Sequence, residues 1–195
     1  MGIILHGSRA IGMEREHSDW DMLLLFNEKP ALASNREDIA GEDVEWKGFV
    51  LPIDKEDVLD LCGVVLQNAR VLWEEQDEGS TLLRIAKEEY AKGAQLTNAD
   101  RVRYRQFLVH KLHGMEDDKE NPYLFFRHLS EFFTRSVNWW FELLHDENRK
   151  PFYLAFPEIE KRDPEYYQLL LVLCGESTRD QKLTAARTVI QKLFP

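Results

Sequence analysis

Short apolar runs bounded by polar residues or glycine fill the first third of the chain, and amphipathic stretches at helical spacing fill the rest. Ile3-Ile4-Leu5 and Met22-Leu23-Leu24-Leu25-Phe26 have the length and flanks of buried strands, with a turn or short helix between them. Asn27 to Ala40 is polar, is broken at its start by Pro30, and has room for one short helix. Val44-Glu45-Trp46 and Phe49-Val50-Leu51-Pro52-Ile53 read as strands on either side of Gly48. Asp54-Lys55-Glu56-Asp57 then offers an N-cap and first-turn acids to a helix through Val58, Leu59, Leu61, Cys62, Val65 and Leu66.

Beyond Val71-Leu72-Trp73 and an acidic stretch ending in Gly79, the period lengthens to that of helices. Ser80 to Lys92 carries Leu82, Leu83, Ile85, Ala86 and Tyr90, and Asn98-Ala99-Asp100 opens a helix through Val102, Tyr104, Phe107, Leu108 and Leu112. Asn121-Pro122 starts a third, Pro122 in its first turn, whose wide stripe from Leu124 to Leu144 marks it as the central packing element. A loop holding Pro151 and Pro157 is expected next, then a helix from Asp163-Pro164 through Leu173 and a last one from Thr178 to Leu193. The pattern predicts an α+β chain: a small mixed-sheet domain over residues 1–75, a linker at Trp73 to Gly79, and a helical bundle over 80–195. Phe132-Phe133 and Trp139-Trp140-Phe141 read first as core and second as the wall of an acceptor pocket.

Composition narrows the partners. The chain has 195 residues, 44% hydrophobic and 31% charged, enough for one substantial core or two small ones. A formal net charge of −10 disfavours nucleic acid as a partner and favours a cationic one. The two cysteines, Cys62 and Cys174, lie in apolar surroundings without metal-ligand spacing and read as buried free thiols of a reducing compartment. Met1 to His6 is too short and lacks the basic start of a signal peptide. No apolar run approaches the roughly 20 residues of a membrane span, so a soluble cytoplasmic protein is expected.

The chemistry concentrates between His6 and Phe26. Asp19 and Asp21 are one residue apart at the head of the most apolar run, and strand alternation would project both carboxylates from one face while Trp20 faces the other way. Two such acids repel unless a cation lies between them, which makes them a candidate Mg²⁺ site. Gly7-Ser8, after the first strand, would let backbone N–H groups and a hydroxyl approach phosphate oxygens. Together the two segments describe a site for a metal and a nucleoside triphosphate. His6 and His17 flank it and read as satisfied or solvent-facing imidazoles.

An apolar strand, Gly7-Ser8, Arg9-Ala10, Gly12, Ser18 and Asp19-x-Asp21 at the start of a second apolar strand resemble the DNA polymerase β-like nucleotidyltransferases, in particular the small bacterial group that modifies kanamycin and lincosamides. The resemblance spans about the first 75 residues, with a looser likeness of the helical remainder to the substrate-binding domain of that group. It implies that Gly7 and Ser8 hold the triphosphate, with Ser18 beside them, that Arg9 makes phosphate or orientation contacts, and that Asp19 and Asp21 bind Mg²⁺. A third carboxylate, a general base or further metal ligand in the family, has no settled place here. Aligning the later strand on Trp46 to Ile53 puts apolar residues at its position; an earlier placement makes it Glu45, with Asp43 on the same face. Supply from the helical domain and outright absence stay open. The helix that precedes the first strand in the family is nearly absent.

The implied activity is transfer of a nucleoside monophosphate from a nucleoside triphosphate, ATP first, to a hydroxyl of a small acceptor such as an aminoglycoside. The alternatives are the same chemistry on a protein or RNA, as in toxin–antitoxin modules, and a nucleotide-binding protein with a degraded site. A homodimer is expected only by analogy. Arg105 and His110 share the Arg-x4-His spacing of the HEPN ribonucleases but read as polar helix surface, and Glu116-Asp117-Asp118 as a solvated loop. Arg127, Arg135, Lys150 and Lys161 are the cations available to a triphosphate in the helical part.

Overall fold

The structure is a computed structural model that describes residues 1–51 and 65–195. The expected helix after Asp54 as far as residue 64, the strand end at Pro52-Ile53 and Cys62 lie outside the described residues; of its expected end, Val65 caps and Leu66 opens a short 3-10 turn over Leu66–Asn68. The chain is α+β and divides into two compact units, residues 1–92 and 93–195.

The first unit is built on a five-stranded mixed sheet of order β3-β4-β2-β1-β5. Its strands are β1 (Gly2–His6), β2 (Trp20–Phe26), β3 (Ser34–Ile39), β4 (Glu42–Val50) and β5 (Arg70–Glu74). β2 and β4 run parallel, whereas the other pairs are antiparallel. One face carries Ile4, Leu23 and Leu25 into a core with Leu66, Ala69 and, from helix α2 (Glu78–Ala91), Leu82, Leu83 and Ala86. The four-residue helix α1 (Gly7–Ala10) follows β1 directly.

Three expectations are corrected here. The polar segment before Gly41 contains a strand, β3, and no helix. It lies at the sheet edge and is exposed apart from half-buried Asn35, so it has no apolar alternation to betray it. Its register is set by a two-residue loop, Ala40-Gly41, in which both residues have positive φ (56° and 85°) and Asp38 Oδ1 accepts from Gly41 N at 2.8 Å. Such a loop matches the twist of a hairpin. β4 runs unbroken through Gly48, where a Cβ would come within 3.0 Å of the Phe26 ring. Trp73 to Gly79 is no linker: Trp73 and Glu74 end β5, Gly79 lies in α2, and Ser80 donates to Glu74 from its backbone N at 3.0 Å and its hydroxyl at 2.5 Å. α2 packs on the sheet, so the division between the units falls after it, at Lys92.

The second unit contains α3 (Asn98–Asp117), α4 (Pro122–His145), α5 (Phe152–Arg162), α6 (Pro164–Cys174) and α7 (Arg179–Leu193). Local sequence sets their starts. Thr97 with Asp100 and Thr178 with Gln181 form capping boxes, and Asn121 and Asp163 each cap a helix with proline in the first turn. The core gathers around α4, whose Phe125, Phe132, Trp140 and Phe141 are fully or almost fully buried, together with Tyr166 of α6. The Tyr166 hydroxyl donates to the Ser136 carbonyl at 3.0 Å. Trp139 stacks on Tyr104 at 4.1 Å between ring centroids, so Phe132 and Trp139 to Phe141 are core residues; Phe133 is half-buried against Phe152 and Phe156.

Residues 152–162 are helical where a loop was expected, with Pro157 inside the helix. An interior proline costs a helix about 3 kcal/mol, and burial of Ala155 and Ile159 on the inner face offsets it. Cys174 is exposed, not buried: Tyr166, Leu170 and Leu173 hold the inward stripe of α6, and the next position turns outward. Glu116 and Asp117 belong to the last turn of α3; Glu116 pairs with Arg187 at 2.5 Å and Asp118 lies 3.3 Å from His128. Arg105 and His110 are both exposed on α3. No helix among the described residues is long and apolar enough to cross a membrane.

Candidate active site

Sheet register sets the site. His6 ends β1 opposite Asp21 of β2; Asp21 lies beside Glu45 of β4; Glu45 lies opposite Arg36 of β3. A single row across four strands therefore reads His6, Asp21, Glu45, Arg36. Asp19, just ahead of β2, joins it: oxygen atoms of Asp19, Asp21 and Glu45 all lie within 4.8 Å of one another. Of the placements left open for a third carboxylate, the register brings Glu45 to the two aspartates.

Gly7 is what lets Asp21 sit there. Its φ is +72°, and a Cβ at this position would fall 2.0 Å from Asp21 Oδ2. The glycine thus meets two demands at once, a left-handed backbone and a carboxylate lying against the chain. Arg9, from α1, fixes the other end. Its NH2 donates to the Ser18 carbonyl at 2.7 Å and its Nε lies 3.1 Å from the carbonyls of both Ser18 and Asp19. The guanidinium also reaches Glu42 at 3.1 Å and stacks 4.6 Å over the Trp20 ring. Its contacts orient the residues that lead into Asp19. Ser18 closes a turn with Arg15, its hydroxyl accepting from Arg15 N at 2.8 Å, and Ser8 lends its carbonyl to Ile11 N and Met13 N. His17 is exposed.

Among the three carboxylates, Asp21 feels the other two. Burial, then Asp19 and Glu45, push the Asp21 carboxyl up to about 6, against the pull of Arg36. Burial brings the His6 imidazole down to about 4, with Asp19 opposing, so His6 is neutral at pH 7. A group of acids held together at such a cost is a fitting ligand set for a hard divalent cation, whose charge removes the repulsion. Beside it opens a cavity of about 330 Å³ lined by His6, Asp21, Leu23, Glu45, Lys47 and Phe49 among others. Lys47 lies 5.9 Å from the centre of the Phe49 ring.

Arg36 was not foreseen. It stands among the acids, 3.3 Å from Asp19 and 3.6 Å from Glu45, and forks onto Asp43. The Ala40-Gly41 turn was the available signal, since a hairpin there brings Arg36 level with Glu45. Of the cations named for the helical part, Lys150 pairs with Glu158 at 2.6 Å and Glu147 at 3.3 Å, and Arg127 lies 3.8 Å from Glu131. Arg135 lies 6.0 Å from the centre of the Phe107 ring.

No known family profile matches the chain, and no curated protein sequence does. Solved structures do. One is the crystal structure of a nucleotidyltransferase-like protein from Exiguobacterium sibiricum, with a TM-score of 0.53 at 12% identity over 98% of this chain and 67% of that one. The fold is nucleotidyltransferase-like. At that identity the likeness is one of architecture, and the chemistry rests on the residues.

Proposed function

We propose that the chain is a divalent-metal-dependent nucleotidyltransferase. The observation that carries the reading is the convergence of Asp19, Asp21 and Glu45 within 4.8 Å, with Gly7 shaped to receive one of them, at one end of a nucleotidyltransferase-like sheet. In this reading an acceptor hydroxyl attacks the α-phosphorus of a nucleoside triphosphate, ATP first among the four, the bond to the bridging oxygen breaks, and pyrophosphate leaves.

Asp19 and Asp21 are the residues to hold Mg²⁺, with Glu45 as third ligand or as the base that takes the acceptor proton. When bound, the metal supplies neutralisation of charge at the α-phosphate and on the leaving group. Gly7 and Ser8 are assigned to the triphosphate on the strength of the resemblance, and Ser18 and Arg9 to holding the approach to Asp19. The chain's part is positioning and electrostatics, as in phosphoryl transfer generally.

The acceptor in this proposal is a small hydroxylated molecule, cationic like an aminoglycoside, because a formal net charge of −10 attracts such a molecule and repels RNA. The meeting of Glu45 with the aspartates weighs against a degraded site. The test is pyrophosphate release from each of the four ribonucleoside triphosphates with Mg²⁺, across aminoglycosides, lincosamides and protein acceptors. Acceptor-dependent release that disappears in Asp19→Ala/Asp21→Ala supports the reading; release unchanged in that double variant refutes it.

A further inference from the structure

Arg36 is a cation already placed among the acids of the site. Its Nε lies 2.9 and 3.1 Å from the two carboxylate oxygens of Asp43, and its NH2 completes the fork. The same NH2 is 3.3 Å from Asp19 Oδ2, and NH1 is 3.6 Å from Glu45 Oε2. One guanidinium thus faces three carboxylates. Two of them, Asp19 and Glu45, belong to the group suited to a metal, and the third, Asp43, does not. The side chain comes from edge strand β3 and is 57% exposed, with the fork onto Asp43 as its shortest contact among the described residues.

Resting on the reading of this site as a metal-dependent nucleotidyltransferase, we propose that Arg36 is a tethered counter-cation that competes with the divalent metal for Asp19 and Glu45, and so makes metal binding contingent on the triphosphate. A divalent ion entering the bare site must approach a guanidinium that already neutralises two of its ligands. A triphosphate brings several negative charges and oxygen pairs that match the guanidinium fork. Arg36 can give up its longer contacts to Asp19 and Glu45 for a phosphate oxygen while Asp43 keeps its bidentate hold. The nucleotide then removes the competitor, and metal and nucleotide bind with positive coupling that linkage makes reciprocal.

Exposure limits the size of the effect, because ion pairs of this kind are weakened by solvent. A change of roughly five- to tenfold in metal affinity is expected. The test is Mn²⁺ titration of the full chain by electron paramagnetic resonance, with and without a non-hydrolysable nucleoside triphosphate analogue, on wild type, Arg36→Gln, Arg36→Lys and Asp21→Asn. Without nucleotide, Arg36→Gln should bind Mn²⁺ roughly five- to tenfold more tightly than wild type. With the analogue the gap should close, because wild type gains more from the nucleotide. Arg36→Lys keeps the charge and should stay near wild type, and thermal melting confirms that each variant is folded. Equal Mn²⁺ affinity of wild type and Arg36→Gln without nucleotide, or Arg36→Lys binding as tightly as Arg36→Gln, overturns the inference. Mn²⁺ binding unchanged in Asp21→Asn, or absent throughout, overturns the metal-site reading on which it rests.

Discussion

Replacing Gly7 by alanine separates what the glycine does for the backbone from what it does for Asp21. At φ +72° a non-glycine residue is strained by about 1–2 kcal/mol. Gly12 has nearly the same φ, +69°, but a Cβ there meets nothing within 4 Å. Gly12→Ala therefore carries the strain alone and serves as the control. In Gly7→Ala the new Cβ falls 2.0 Å from Asp21 Oδ2 and 2.9 Å from its Cγ, so the carboxylate must turn away by about 1–1.5 Å to restore contact distance. A displacement of that size at a reacting centre costs about a hundredfold in rate. Gly12→Ala should thus melt a few degrees low, at about 2–4 °C per kcal/mol, and keep its turnover. Gly7→Ala should melt at least as low, lose about two orders of magnitude in pyrophosphate release, and lose most of its stabilisation by Mg²⁺. Thermal unfolding with and without Mg²⁺, beside single-turnover pyrophosphate release, reads all three quantities. Turnover in Gly7→Ala within threefold of Gly12→Ala would show that Asp21 is not held by this contact, and the reasoning would fail.

Three further outcomes follow from other parts of the chain. Arg9→Lys keeps a charge but not a planar fork able to span the Ser18 and Asp19 carbonyls and Glu42, and should lower turnover about tenfold with little change in melting temperature; unchanged turnover counts against its orienting role. Lys182, 3% exposed, donates to the carbonyls of Val172, Leu173 and Gly175 at 3.1, 2.7 and 2.7 Å, closing the end of α6. Lys182→Met leaves those carbonyls unpaired and should cost about 2–3 kcal/mol by denaturant titration, whereas a loss under 0.5 kcal/mol would deny the cap. The Asp21 carboxyl, pushed up to about 6 by burial and its acidic neighbours, binds a proton more tightly in the folded than in the unfolded chain. Its stabilising contribution in metal-free protein is therefore full below about pH 4 and is lost as pH rises through 6, by at most about 3 kcal/mol and by about 1–2 once solvent screening is counted. Mg²⁺ needs the ionised form, so the melting shift it produces should grow over the same interval; an equal shift at pH 5 and pH 8 contradicts this.

Much of the site was legible because its residues are local in sequence. Gly7-Ser8 directly follow β1 and Asp19-x-Asp21 lead into the adjoining β2, so turn chemistry and strand alternation state the geometry in advance. Glu45 was one of several options because its place depends on the parallel pairing of β2 with β4, a non-local register that no nearby residue encodes. Arg36 was missed because β3 is an edge strand with no buried face, and its polar sequence has no period to read. The helices announced themselves through Asn98-Ala99-Asp100, Asn121-Pro122, Asp163-Pro164 and Thr178, where capping is a matter of three or four adjacent residues, although the cap of α3 proves to be Thr97, one residue earlier. Residues 152–162 were misread for the opposite reason: Pro157 is a strong local signal, and tertiary burial of Ala155 and Ile159 overrides it.

The most direct test of the account is the position of a metal. A crystal of the full chain grown with Mn²⁺ and a non-hydrolysable nucleoside triphosphate analogue, measured near the manganese absorption edge, locates the ion by its anomalous signal. The account predicts a peak bonded to the carboxylates of both Asp19 and Asp21, with the triphosphate oxygens completing its coordination. A bound analogue with no metal peak at those two residues, or a peak held elsewhere on the chain, would contradict it.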